Sequence, residues 1–166
     1  MASSRYAWLY AAWLVLVVIF TLVTGTQLPP TAASHFVGSG EADAFMARGS
    51  YLGAMCVFAA GLPALMVLWT RRIVHQSPHR LKLPNRDYWL APQRRAATLQ
   101  AITSHMLLFG FALSLLIAFA HWEVVQANLR QPPRLATGRF MAALGLFVVA
   151  TAGWVYGLYA RFRRLP

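Results

Sequence analysis

Residues Ala101 to Trp122 read AITSHMLLFGFALSLLIAFAHW, a run with no Lys, Arg, Asp or Glu. About 20 apolar residues at the 1.5 Å helical rise cross a hydrocarbon core. No water inside that core satisfies free peptide groups, so the run must be a helix. Residues 6–25, 51–69 and 140–159 read the same way. Four such runs are too long and too few for a β-barrel. The expected fold is an all-α integral membrane protein, a four-transmembrane-helix bundle forming a single membrane domain over residues 1–166.

Composition points the same way. The 166 residues are 58% hydrophobic and 11% charged, outside the range of soluble domains. The net charge of +11 does not imply nucleic acid. Nucleic acid would need a shared soluble basic face, whereas these bases lie between apolar runs. Cys56 is alone, which excludes a disulfide framework or a Cys-based metal site within one chain. Arg5 before the stretch from Ala7 to Val23 is reminiscent of a secretion signal. That stretch is long for one and no small-x-small site follows, so it reads as a retained first span.

Orientation follows from the bases outside the spans. Arg5, Arg71, Arg72, Arg80, Lys82, Arg86, Arg94, Arg95, Arg161, Arg163 and Arg164 fall on one side, and Arg48, Arg130, Arg134 and Arg139 on the other. Eleven against four predicts that the first side, with both termini, is cytoplasmic. The anticipated connections are an outer loop at 26–50, a basic cytoplasmic loop at 70–100 and an outer loop at 123–139. Pro92 suits a first helical turn, so Gln93 to Gln100 is expected to run into the third span. Tyr6, Trp8, Trp69, Trp122, Tyr156 and Tyr159 are placed as interfacial anchors. The two halves of the chain do not repeat each other, which argues against a transporter built from inverted repeats.

Helices in lipid meet through small residues one turn apart. Gly110, Ser114 and Ala118 in the third span and Gly153 and Gly157 in the fourth are the candidate packing positions, within the bundle or at a dimer seam. His105, near the cytoplasmic edge of the third span, reads as a neutral imidazole bonded to Ser104 or a backbone carbonyl. The spans lack the facing imidazoles of a bundle haem and the titratable chain of a proton relay, and no cofactor is expected. The outer side offers His35, Glu41 and Asp43 in its first loop and His121 and Glu123 at the end of the third span. Imidazoles and carboxylates on one face could hold a divalent ion or a polar ligand, or simply ion-pair a docked loop.

The order Leu28-Pro29, His35-Phe36, Gly40, Asp43 after one apolar helix resembles the bacterial membrane domain of unknown function at the N-terminal end of SdpI-type immunity proteins. The inner segment Pro84-Asn85-Arg86-Asp87-Tyr88-Trp89, continuing to Pro92, is similar to a segment of uncharacterised bacterial proteins carrying that domain. The chain departs from the pattern at Ala33, where the family usually has Pro, and at Phe45, where it often has Trp. The resemblance implies a multi-pass protein of the bacterial inner membrane. The further spans of the SdpI proteins are missing, so immunity itself is not carried over. At a membrane surface Tyr88 and Trp89 would sit at headgroup depth and Asp87 would pair with Arg86, Arg94 or Arg95. A docking site for a partner is the rival reading of this segment.

The expected role is therefore non-enzymatic association: an accessory subunit, or an interaction, sensor or immunity-like factor. Its expected partners are the bilayer with its anionic lipids and other membrane-protein subunits or a second copy. An outer-face metal or small-ligand site, even a small enzyme, using His35, Asp43, His121 and Glu123 is the alternative. An oligomeric transporter component comes third.

Overall fold

The computed structural model describes the backbone of residues 2–165 and the side chains of residues 6–165, so the Arg5 side chain lies outside the described residues. Helix α1 spans Ala2–Gly25. Strands β1 (Thr31–Phe36) and β2 (Ala42–Ala47) form an antiparallel hairpin. Helices α2 (Arg48–Cys56) and α3 (Leu62–Gln76) are joined by a π-helical turn at Val57–Gly61 and form one continuous span. Short α4 (Arg86–Trp89), α5 (Pro92–Asn128) and α6 (Thr137–Arg163) complete the chain. Four helices are long and apolar enough to cross a membrane: Tyr6–Gly25, Arg48–Gln76, Pro92–Asn128 and Thr137–Arg163.

The helices outrun the hydropathy windows of the sequence. Hydropathy reports the thickness of the hydrocarbon, whereas backbone hydrogen bonds continue into the interface wherever residues tolerate a helix. Helix α5 begins at Pro92, whose missing N–H costs nothing in a first turn, and at 37 residues it is about 55 Å long. Gln93 to Gln100 run as helix straight into the third span, as expected. The π-helical turn sits just before Pro63, which cannot donate to the carbonyl four residues back.

The outer loop expected at 26–50 is not irregular: most of it is the hairpin. Neither TAASHF nor ADAFMA carries strong strand propensity, so tertiary contacts fix it. The Asn128 side chain accepts from the Ala33 N–H at 2.8 Å and donates to the Ala33 carbonyl at 3.0 Å, acting as a one-residue neighbouring strand. Leu28, Ala32, Tyr51 and Val125 form a buried cluster beneath it.

Packing within the four helices is uneven. Helices α1, α2–α3 and α5 form the central unit, with Val17, Ala59 and Ala118 at its middle. Helix α6 lies along α5 through Phe109 against Phe147 and Trp154. At its end Phe162 joins Val74 and Ile102 in a separate cluster. None of the most apolar 18-residue window of α6 is buried, against 17–22% in the other three spans.

Candidate functional site

The third span's small residues lie where helices meet. A Cβ on Gly110 would stand 2.5 Å from the Tyr10 hydroxyl and 3.0 Å from Val67, so only glycine admits these neighbours undisturbed. Ser114 is fully buried; its hydroxyl accepts from the Trp13 indole at 2.7 Å and donates to the Phe111 carbonyl. Ala118 packs against Val17 and Ala59. Gly153 and Gly157 differ: a Cβ on either meets nothing within 4 Å. Placed as packing positions within the bundle or at a dimer seam, they face open space within the chain.

The hairpin end of the helices is organised by His121, which is fully buried. The Thr24 hydroxyl donates to the Phe20 carbonyl at 2.6 Å, so toward His121, 2.8 Å away, its oxygen accepts from Nε2–H. The other ring nitrogen, Nδ1, then accepts from the Tyr51 hydroxyl at 3.1 Å. Both nitrogens of a neutral imidazole are satisfied, and α1, α2 and α5 are tied at one point. Two residues on, the Glu123 carboxylate is 2% exposed and accepts from Arg139 of α6 at 3.1 Å.

The remaining outer candidates belong to the hairpin. His35 Nδ1 and Asp43 Oδ1 meet across the strands at 2.6 Å, with the side chains 69% and 44% exposed. Phe36 pairs with Ala42 in the ladder. Glu41 forms a bridge with Arg134, and the Leu135 N–H donates to the Gly40 carbonyl, which joins the second outer loop to the hairpin turn. Gly40 has φ +85°, and a Cβ there would lie 2.5 Å from the Leu135 carbonyl oxygen. Both facts demand glycine. His35, Gly40 and Asp43 thus shape the hairpin and its turn.

The sequence grouped His35, Asp43, His121 and Glu123 into one candidate site, whereas in the structure they pair in three different places. His35 holds Asp43, His121 holds Thr24 and Tyr51, and Glu123 holds Arg139. Among the described residues no three of His, Cys, Asp and Glu gather as metal ligands. The sequence missed Thr24, Tyr51, Asn128 and Arg139 because a hydroxyl or amide near a span end looks like any interfacial polar group until its partner is placed.

The segment around Asn85 and Trp89 packs on the chain's own last helix. Asn85, at φ +50°, donates through Nδ2 to the carbonyls of Phe162 at 3.3 Å and Arg163 at 2.9 Å. The Trp89 indole donates to the same Phe162 carbonyl at 2.7 Å and packs edge-on against the Phe162 ring. Carbonyls of the last helical turn have no partner within the helix, and this clasp supplies one. Arg86 bonds exposed Asp87 at 3.3 Å, while Arg94 lies 3.9 Å over the Tyr88 ring. Pro84 precedes the clasp and Pro92 starts α5 behind it. His105 accepts its expected place, with Nδ1 2.8 Å from the Ala101 carbonyl.

No protein-family model, curated protein or solved structure matches the chain.

Proposed function

We propose that this chain is a non-enzymatic, multi-pass protein of the bacterial inner membrane that works by association, as an accessory subunit of a larger membrane assembly. Both termini are taken to be cytoplasmic, on the asymmetry of bases between the two ends. The observation that carries the reading is α6, held at both ends and buried nowhere across its most apolar window. Gly145, Gly153 and Gly157 leave room along it for another helix to approach closely. The buried polar groups of α5 support the same reading. His121, Ser114 and Glu123 are each committed to structural partners, which leaves no free acid, base or nucleophile among them.

Purification from native membranes in mild detergent tests this. A stoichiometric partner, either another subunit or a second copy, is expected with the native chain and is lost from a Gly153→Leu/Gly157→Leu variant whose thermal midpoint is unchanged. A native chain that purifies alone as a monomer overturns the proposal, as does a partner that the double variant retains.

A further inference from the structure

The cytoplasmic end of α3 carries a groove of about 780 Å³ lined by Leu65, Leu68, Trp69, Arg71, Arg72, His75 and Gln76. Most of these residues recur every three or four positions, so they form one stripe running from the hydrocarbon to the helix end. Leu65 and Leu68 are each 62% exposed inside a span, where what they face is acyl chain. Trp69, 63% exposed, sits where the leucines give way to the bases, as an indole does at headgroup depth. One wall thus asks for hydrocarbon, and the adjoining one asks for an anion.

No acidic side chain among the described residues answers the second demand. Among the described residues Asp87 bonds Arg86, Asp43 bonds His35 and Glu123 bonds Arg139, while Glu41 lies at the hairpin turn at the opposite end. Among the described residues neither Arg71 nor Arg72 takes part in a salt bridge. Arg86 and Arg94, in the neighbouring loop, are engaged with Asp87 and Tyr88. Arg71 and Arg72 thus combine an open charge with an apolar wall leading into the bilayer.

We propose that this groove is a binding site for an anionic phospholipid, with the phosphate held by Arg71 and Arg72, the headgroup beside His75 and Gln76, and an acyl chain along Leu65 and Leu68. A guanidinium presents two parallel donors to a phosphate, which a zwitterionic lipid shields with its own cation and an anionic one leaves open. Juxtamembrane arginine pairs attract anionic headgroups by the same means. The site lies on α3 and does not depend on what α6 associates with.

The test uses the full-length protein in vesicles of phosphatidylcholine and phosphatidylglycerol, with one lipid at a time carrying brominated acyl chains. Trp69 emission is isolated by subtracting a Trp69→Phe variant. Brominated phosphatidylglycerol is expected to quench Trp69 at about tenfold lower mole fraction than brominated phosphatidylcholine, and Arg71→Gln/Arg72→Gln is expected to erase that preference. Arg130→Gln/Arg134→Gln, at the other end, is expected to preserve it. Equal quenching by both lipids in the native chain overturns the proposal without recourse to any variant. So does a preference that survives Arg71→Gln/Arg72→Gln, or displacement of the brominated lipid by millimolar inorganic phosphate, which would make the ligand a free anion.

Discussion

Helix α5 and helix α6 are both long, apolar and supplied with small residues, yet one is the axis of the molecule and the other a rider on it. The small residues of α5 each face something: Gly110 meets Tyr10 and Val67, Ser114 meets Trp13, and Ala118 meets Val17 and Ala59. Those of α6 face open space, and α6 is fastened by Glu123 to Arg139 at one end and by Asn85 and Trp89 to its last carbonyls at the other. In lipid, apolar contact between helices brings little drive because the tails are as apolar as leucine. Polar contacts and close backbone approach decide which helices belong together. Equal hydropathy therefore says nothing about equal packing.

The sharpest way to break this contrast is to cut the outer fastening. Arg139→Ala strands a carboxylate that is 2% exposed, and the unfolding midpoint in mild detergent is expected to fall by the equivalent of about 2–3 kcal/mol, since Arg139 itself is largely solvated. Glu123→Gln added to Arg139→Ala should recover most of that loss, because a neutral amide costs much less to leave buried. If the double variant is as weak as the single one, Glu123 is not held mainly by charge.

The matched glycine pair sharpens the contrast directly. Gly110→Leu forces a side chain into the space of Tyr10 and Val67, and overpacking of this kind costs about 1–3 kcal/mol in the same unfolding measurement. Gly153→Leu meets nothing within the chain and is expected to change stability by less than about 0.5 kcal/mol. Similar losses from both would show that α6 packs within the chain as tightly as α5.

Between those extremes lies the imidazole tie. Tyr51→Phe removes one donor to His121 Nδ1 while keeping the stacked ring, and about 1 kcal/mol or less is expected. The smallest effect is reserved for the inner clasp. Trp89→Phe keeps the edge-on contact with Phe162 and loses only the indole hydrogen bond, while Asn85 still caps the same carbonyl. Hydrogen exchange at the last turn of α6 should rise several-fold with little change in the midpoint.

The spans were legible because lipid enforces a rule that composition alone expresses: an apolar run of sufficient length must close its own hydrogen bonds. Pro92 as a helix start and Gly110, Ser114 and Ala118 as a packing face were legible for similarly local reasons. The hairpin was not, because its first strand, TAASHF, is held at Ala33 by Asn128, 95 residues away in the sequence.

The four spans, the uneven distribution of bases and the glycine positions are thus properties of the sequence by itself, since each follows from the residue's own solvation or backbone freedom. Which glycine faces a neighbour and which faces open space was decided only by the tertiary structure. So was the pairing of His121 with Thr24 and Tyr51, and that of Asn85 with the end of α6. A polar group or a glycine acquires its role from the atom opposite it, and residues distant in the chain become opposite only when the helices have packed.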